Sequence, residues 1–143
     1  MRNKMIRKVL SGKRKRAVAK AVIKEGAGEI TINKKSYTQI EMINRLRIEE
    51  PIRIAKEIMG EEIGKFSIFV RVSGGGKEGQ IEASRLAIAR ALVEAAKDSG
   101  KSELLRKAYL AYDRNLLVAD TRRKEAYKPG DSKARAKRQK SYR

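Results

Sequence analysis

Hydrophobic and polar residues alternate most clearly in residues 65–73. Every second residue there is apolar, namely Phe66, Ile68, Val70 and Val72. A period of two predicts a strand that buries one of its faces. The strand is predicted to end where a glycine-rich stretch breaks the alternation.

Three other segments also predict extended structure. Residues 17–23 are rich in Ala and Val, and residues 29–33 alternate apolar and polar side chains. The turn between them contains Gly26 and Gly28, which can take positive φ, so these two segments are predicted to form a hairpin. Residues 115–119 predict a last extended segment.

A first short helix is predicted after residue 38. The sequence Thr38-Gln39-Ile40-Glu41 is typical of a capping box, in which a hydroxyl and a carboxylate satisfy free backbone amides. The helix that it opens would direct Ile40, Ile43 and Leu46 inward.

A second helix is predicted to begin at Glu49-Glu50-Pro51. Proline is tolerated in the first helical turn, and acidic side chains suit the positive end of the helix dipole. This helix is expected to run to Met59 and to end at Gly60.

A long helix is predicted over residues 81–98, with a shorter one over residues 103–109 after Ser102 as N-cap. On the long helix, Arg90 and Glu94 are spaced for an i,i+4 ion pair on a narrow polar strip. Most of the remaining circumference is apolar, so the helix is expected to be packed on most sides. Small residues repeat along it and would permit close backbone approach: Ala83, Ala87, Ala91 and Ala95.

The order of these elements predicts one compact α/β or α+β domain. We place the domain at residues 1–120, with a basic lead-in at residues 1–16. Residues 121–143, the C-terminal tail, are almost free of apolar side chains. The tail therefore lacks the surface to offset ordering entropy, and we expect it to be disordered without a partner.

Positive charge is concentrated at the two ends of the chain. The net charge is +19, and residues 1–24 contain ten Lys or Arg and no acidic residue. The tail adds a net +8, which leaves residues 25–120 almost neutral. Two dense cationic ends around a near-neutral body are typical of a protein that binds a polyanion.

Composition excludes several function classes. The chain has no Cys and no His, which removes disulfides, thiolate metal sites and the commonest general base. We therefore assign no catalytic, cofactor-binding or metal-ligating residue. A membrane surface is disfavoured because the tail has no Leu, Ile, Val, Phe or Trp. Nucleic acid is the favoured partner, and a cytoplasmic location is expected.

Two internal motifs could contact phosphates. Residues 12–16, Gly12-Lys13-Arg14-Lys15-Arg16, form a basic run directly before the first predicted strand. The glycine loop, residues 74–76, stands between a strand and the long helix, where backbone amides can bind an anion. It lacks the Gly-Lys-Ser/Thr ending of a P-loop, so a purely structural turn is an equal alternative. Arg85, one turn into the helix, either snorkels or reaches a phosphate.

The tail supplies a third group of cations. Alternating alanines between residues 133 and 138 keep it slim enough to thread between nucleic-acid strands. Tyr127 and Tyr142 either stack on bases or are incidental tail residues. The residues that we expect to bind nucleic acid across all three motifs are Lys13, Arg14, Lys15, Arg16, Gly74, Gly75, Gly76, Arg122, Arg123, Lys124, Lys128, Lys133, Arg135, Lys137 and Arg138.

Together these motifs resemble the S-nine family of small-subunit ribosomal proteins. The matching residues are Gly12 to Ala19, Gly26-x-Gly28-x-Ile30-x-Ile32-Asn33, Gly74-Gly75-Gly76-x-x-Gly79-Gln80, Arg90 to Val93, Asp120-x-Arg122 and Gln139 to Arg143. The terminal Lys-Ser-Tyr-Arg looks archaeal or eukaryotic, with archaeal preferred for so short a chain. Thr121 departs from the family, which usually has Pro there.

The resemblance implies a two-layer α/β domain with a small mixed sheet and a left-handed βαβ crossover. It implies a place in the head of the small subunit, bound to rRNA and beside neighbouring head proteins. The tail would reach toward the tRNA in the P site, with Lys140, Ser141, Tyr142 and Arg143 as candidate tRNA contacts. Neither a membrane nor a small-molecule substrate is implied.

Two rival functions stay open at this point. The first is an RNA- or DNA-binding protein outside the ribosome, such as an assembly factor. The second is an enzyme, because related crossover folds with a glycine loop include small-molecule kinases. The missing His and the incomplete phosphate motif speak against the enzyme.

Overall fold

A computed structural model describes residues 8–97, 99–136 and 141 of the chain. In these residues five strands form one mixed sheet in the order β1-β2-β5-β3-β4. The strands are β1 (Val9–Arg14), β2 (Ala17–Glu25), β3 (Ile30–Ile32), β4 (Lys35–Ser36) and β5 (Phe66–Ser73). Neighbours are antiparallel except β3 and β5, which are parallel.

Three α-helices accompany the sheet in the same described part of the chain. They are α1 (Met42–Met59), α2 (Lys77–Ala95) and α3 (Ser102–Tyr112). Short 3₁₀ segments lie at Tyr37–Gln39, Gly60–Lys65 and Arg114–Leu116. The helices cover one face of the sheet, which confirms the α/β (α+β) class and the mixed sheet. The connection from β3 through α1 to β5 is the βαβ crossover, and its left hand stays a prediction.

Strand pairing differs from the predicted hairpin. The strand at residues 17–23 exists, but it pairs with β1 and β5, while β3 lies on the other side of β5. The loop between β2 and β3 crosses the start of β5, where the Gly26 amide donates to the Lys65 carbonyl at 2.8 Å. A Cβ at Gly26 would lie 2.2 Å from the Ser67 Oγ. The two glycines therefore permit a crossing instead of a tight turn.

The basic lead-in contains a strand that the sequence did not reveal. Residues 9–14 form β1 at the edge of the sheet, paired with β2 from Val9↔Val22 to Arg14↔Ala17. Its covered side carries Leu10, Gly12 and Arg14, of which only one is a typical core residue. Because the covered side is not apolar, the hydrophobic alternation of a strand is absent.

The two helices predicted between residues 38 and 59 are one helix, α1. The capping-box prediction is wrong, since helix α1 begins at Met42 and Glu41 makes no side-chain capping bond. Ile43 and Leu46 are exposed, and the buried stripe of α1 includes Ile48 and Ile52. Pro51 lies inside the helix without ending it.

The long helix α2 is the centre of the core. It begins at Lys77, four residues earlier than predicted, and twelve of its nineteen residues are buried. The small-residue ridge is confirmed, because Ala83, Ala87, Ala91 and Ala95 are all buried. The closeness is clearest at Gly12 of β1, where a Cβ would lie 2.2 Å from the Ala83 carbonyl.

The polar strip of α2 pairs differently from the prediction. The Arg90 guanidinium donates to the backbone carbonyls of Ser11 at 2.6 Å and Leu117 at 2.8 Å, not to Glu94. Glu94 instead pairs with Lys8 and Lys97, each at 2.8 Å. Arg90 thus ties the helix to the edge strand and to the segment after α3.

The segment after α3 is not extended. Residues 114–116 form a 3₁₀ turn, and Asp113 caps it by accepting from the Asn115 amide at 2.9 Å. Leu116 is fully buried. The helix α3 itself begins at Ser102, as predicted within one residue, but its N-cap is Lys101.

Candidate nucleic-acid interface

The basic run forms the tip of the β1–β2 hairpin, and we call residues 13–16 the basic tip. Arg14 pairs with Ala17, so Lys15 and Arg16 form a two-residue turn in which Lys15 has a φ of 53°. Lys13, Lys15 and Arg16 are exposed, whereas Arg14 points toward the helices and is half-buried. The hairpin tip therefore offers three free cations to a phosphate backbone, and Arg14 has a different task.

The glycine loop packs directly against this hairpin tip. Gly74 and Gly75 have φ values of 77° and 64°, which favour glycine. A Cβ at Gly74 would lie 2.6 Å from the Arg16 carbonyl, and one at Gly75 would lie 3.0 Å from the Ala17 amide. Both glycines are explained by this close approach, so the loop is a structural turn that also lies beside the basic tip.

The start of α2 is less favourable to an anion than the sequence suggests. Gly76 is the N-cap residue, and Glu78 in the first turn already supplies a carboxylate to the positive end of the dipole. Glu78 pairs with Arg47 of α1. Any phosphate near the glycine loop would therefore be held by the basic tip rather than by the helix end.

The tail begins at the same place. Asp120, the last residue before the tail, forms an ion pair with Arg14 of β1. It also accepts from the Arg122 backbone amide at 2.9 Å and from the Arg122 guanidinium at 2.7 Å. A cavity of about 320 Å³ lies beside this anchor, with Lys13 and Lys15 in its lining. Arg14 thus fixes the point at which the tail leaves the domain.

Three stretches distant in sequence therefore meet at one end of the molecule. They are the basic tip at residues 13–16, the glycine loop and the start of the tail at Asp120. These stretches share a chemistry that the sequence shows, but no pattern in the sequence predicts that they are in contact. The Asp120-x-Arg122 motif was the signal, and its physical meaning is the ion pair to Arg14.

The tail cations that the structure describes are all exposed. These are Arg122, Arg123, Lys124, Lys128, Lys133 and Arg135. Residues 121–136 contain no helix and only an isolated bridge between Lys128 and Lys133. The Lys124 amine lies 4.6 Å from the centre of the Tyr127 ring, so this ring is exposed beside a cation.

The end of the tail is described only in part. Ser141 is exposed. Lys137, Arg138, Lys140, Tyr142 and Arg143 lie outside the described residues.

Arg85 neither snorkels nor reaches a phosphate. Its side chain is 9% exposed, and its guanidinium pairs with Glu50 of α1 and, at 2.9 Å, with Asp113 after α3. Burial lowers the pKa of Arg85, but the hydrogen bond to Asp113 and the charge of Glu50 outweigh burial and raise it. Arg85 is therefore the centre of an ion-pair cluster between the helices.

Asp113 is correspondingly held in its charged form. Burial raises the pKa of Asp113, but hydrogen bonds from the Asn115 amide and from Arg85 outweigh burial and leave the pKa below its ordinary value. Glu50, Arg85 and Asp113 together link all three helices. No sequence pattern announced this cluster, because its members are 35 and 28 residues apart.

Other chemistries find no support in the part of the chain that the structure describes. Residues 8–97, 99–136 and 141 contain no group of three or more His, Cys, Asp or Glu that could hold a metal ion. Among the same residues, no helix has the length and apolar character needed to cross a bilayer.

Comparison with known proteins gives a match across all three motifs. Residues 12–143 match the family model described as ribosomal protein S9/S16. The small ribosomal subunit protein uS9 of Methanococcus maripaludis strain C7 is 44% identical over 135 residues, which cover 92% of this chain and 95% of the relative. The uS9 protein of strain C5 shows the same identity and coverage.

Proposed function

Because the chain belongs to the ribosomal protein S9/S16 family, we propose that it binds the rRNA of the small-subunit head through its basic tip and its tail. The family is one of structural ribosomal proteins, so the chain takes a structural part in translation and no catalysis is proposed. Its partners are the rRNA and neighbouring proteins of the subunit head.

One observation carries the rRNA proposal. The ion pair between Arg14 and Asp120 holds the tail at the base of the basic tip, so the two cationic segments leave the domain from one place. Cations spread along a single path contact successive phosphates and release their counterions. The glycine loop lies at the same end of the molecule, because its glycines allow it to pack closely against the backbone of the basic tip.

The finer proposal concerns the end of the tail. We propose that Lys140, Ser141, Tyr142 and Arg143 contact the tRNA in the P site, by their match to the family's terminal motif. A crosslinker at position 142 of assembled subunits would then yield tRNA adducts in addition to rRNA adducts. Adducts to rRNA alone would contradict the tRNA contact and leave the rRNA proposal intact.

Removal of the tail is the main test. A chain truncated after Asp120 is expected to fold, because the described residues beyond it are solvent-exposed or half-buried and no core residue lies among them. If the tail makes 6–10 phosphate contacts, its contribution falls by roughly 10³–10⁵ between 50 and 200 mM salt. The truncated chain should therefore bind an rRNA head fragment more weakly and with a shallower salt dependence.

A full-length chain with every tail Lys and Arg replaced by Gln is the matched control. It keeps the length and the tyrosines, and it should behave like the truncated chain. Undiminished affinity and salt dependence in both variants would contradict the proposal.

Sedimentation of small subunits distinguishes a ribosomal protein from a nucleic-acid-binding protein outside the ribosome. We expect one copy of the chain per small subunit after a high-salt wash. Loss of the chain in that wash would favour an assembly factor.

A further inference from the structure

The face of the sheet that the helices leave uncovered is positively charged. Helices cover one side of the sheet, and the other side carries the alternate residues of β1, β2 and β5. We define this open face by its exposed or half-buried side chains: Val9, Ser11, Lys13, Val18, Lys20, Val22, Lys24, Phe69, Arg71 and Ser73. It contains four cations and no carboxylate.

Three of these four cations, Lys13, Lys20 and Lys24, lie in residues 1–24, and only Arg71 belongs to the near-neutral residues 25–120. The ion pairs of the helical side use carboxylates such as Glu49, Glu78 and Glu94. Within the strands the only carboxylate is that of Glu25 at the end of β2, and it follows the alternation of the covered side. Glu29 lies one residue before β3 and beside β5, where its carbonyl accepts from the Ile68 amide at 2.8 Å, and its carboxylate forms no ion pair with a described cation.

The cations of the open face are also unpaired. Within the described residues, Lys13, Lys20, Lys24 and Arg71 form no ion pair within 4.0 Å of a carboxylate. Most arginines of the helical side do form one. Unpaired cations on a rigid sheet repel one another, and a polyanion would relieve that repulsion.

Strand register arranges these side chains in rows. One row across the sheet is apolar and runs Val9–Val22–Phe69. The next row holds Lys20 opposite Arg71, and Lys24 lies on the other side of the apolar row. Arg71 is two residues from Phe69 on β5 and therefore about 7 Å away. Lys20 and Lys24 are diagonal neighbours of Phe69 on β2, at about 7–8 Å.

We propose that the open face is a further RNA-binding surface, on which Phe69 stacks an unpaired base and Lys20, Lys24 and Arg71 contact its flanking phosphates. The Phe69 ring is 39% exposed, and the Lys24 amine lies over it at 5.4 Å from its centre. A base that stacks on the exposed ring would therefore take the place of the Lys24 amine, which would be released to a flanking phosphate. An exposed aromatic between cations on a sheet is the arrangement that binds single-stranded RNA.

This inference rests on the proposed function, because the RNA is the rRNA of the subunit head. The open face is continuous with the basic tip, since Lys13 belongs to both. An rRNA segment bound at the tip could therefore continue across the sheet. A partner protein of neutral or positive surface would leave the four cations unpaired.

The test compares two triple variants in the full-length chain. The first is Lys20→Gln, Lys24→Gln and Arg71→Gln on the open face. The matched control is Lys56→Gln, Arg106→Gln and Lys107→Gln, which removes the same charge from exposed positions on α1 and α3. Neither variant should unfold at a lower temperature than the parental chain, because all six side chains are exposed. The open-face variant should unfold at a slightly higher temperature, because it loses the repulsion between unpaired cations.

We expect the open-face variant to bind an rRNA head fragment with a log–log salt slope shallower by about 2–3, and the control to keep the parental slope. Phe69→Leu should lower the affinity about tenfold with no change in slope, because it removes stacking but not charge. Equal slopes for the two triple variants would overturn the proposal. So would normal rRNA binding by the open-face variant with loss of a head protein from reconstituted subunits, since the face would then bind protein.

The open-face variant and the tail-truncated chain together distinguish failure of the open-face proposal from failure of the proposed function. If the tail-truncated chain loses rRNA affinity while the open-face variant does not, only the open-face proposal is wrong. If neither variant changes rRNA binding, both proposals are wrong.

Discussion

Gly12 shows how a single residue sets the distance between two layers. It lies on the covered side of β1, directly over α2, and it is buried. A Cβ would lie 2.2 Å from the Ala83 carbonyl and 2.8 Å from the Ala87 amide, both of which are helix backbone atoms. Because backbone atoms cannot swing aside as a flexible side chain does, the strand needs glycine here for its close packing, not for its φ angle.

Gly12→Ala is therefore expected to destabilise the domain by about 1–3 kcal/mol, the usual cost of overpacking a core. Gly64→Ala is the matched control, since a Cβ at Gly64 meets nothing within 4 Å and its φ is not positive. Chemical denaturation of both variants measures the free energy of unfolding. A Gly12→Ala variant as stable as Gly64→Ala would show that β1 does not pack on α2 as described.

At the residue scale, the sequence singles out the glycines and cations but does not reveal what each of them contacts. Residues 13–16 looked like four equivalent phosphate contacts, yet strand alternation turns Arg14 toward Asp120 and leaves the other three exposed. Alternation could not be applied there, because the covered side of β1 carries Gly12 and Arg14 in place of apolar residues. The ion pairs of Arg85 could not be predicted either, since both of its partners are distant in sequence.

At the scale of elements, the Arg85 cluster joins three helices that have few other polar contacts. The guanidinium extends from α2 to Glu50 of α1 and to Asp113 at the end of α3. A second link is the Tyr109 hydroxyl of α3, which donates to the Pro51 carbonyl of α1 at 2.8 Å. These bonds connect α3 to α1 and α2, and the fully buried Leu116 anchors the segment that leads to the tail.

The pH dependence of stability follows from the lowered pKa of Asp113. An unfolded Asp113 takes up its proton near the ordinary pKa of 3.8, and the folded one does so only at lower pH. Its stabilising effect is therefore complete above about pH 5 and is lost as the pH falls through the folded pKa. Asp113→Asn should cost about 1–2 kcal/mol at pH 7, because a charge-assisted hydrogen bond is lost.

The difference between the parental chain and Asp113→Asn should shrink as the pH falls below 4, and denaturant titrations at pH 7, 5 and 3.5 would measure it. Glu103→Gln, an exposed carboxylate in the first turn of α3, serves as the control. A difference that stays constant across this range would argue that Asp113 is not held in its charged form by Arg85.

Element boundaries were predictable where the local pattern was strong. The strand at residues 65–73 and the buried helix α2 were both identified, because each has a long run at one period. The division of α1 into two helices was wrong, because Pro51 and its preceding acids are also typical of a helix start. Only the packing of Ile48, Ile52, Ala55 and Met59 on one stripe shows that the helix is continuous.

For the whole molecule, the charge is divided by sides as well as by ends. Of the cations in residues 1–24, Lys13, Lys20 and Lys24 belong to the open face of the sheet, so the N-terminal charge is not confined to a terminus. The helical side balances its own charges in ion pairs. Much of the net +19 thus lies on the open face, at the basic tip and in the tail, and self-repulsion there opposes folding of the free protein.

Salt is therefore expected to stabilise the isolated protein while it weakens RNA binding. Raising NaCl from 50 to 500 mM shortens the screening length from about 14 to 4 Å and reduces the self-repulsion, so Tm should rise. The chain truncated after Asp120 has a net charge of +11, and its Tm should rise less. Differential scanning calorimetry of both chains measures this, and an equal rise would show that the tail charge does not strain the domain.

The sequence by itself determined the fold class, the central strand and helix, the basic segments and the resemblance that led to the family. Each of these follows from the hydrophobic periodicity of a short segment, from the distribution of charge along the chain or from the order of the motifs. Tertiary structure alone decided which strands are neighbours, which cations are tied up and which face stays open. Those outcomes depend on contacts between residues far apart in the chain, such as Arg14 with Asp120, and no local pattern encodes them.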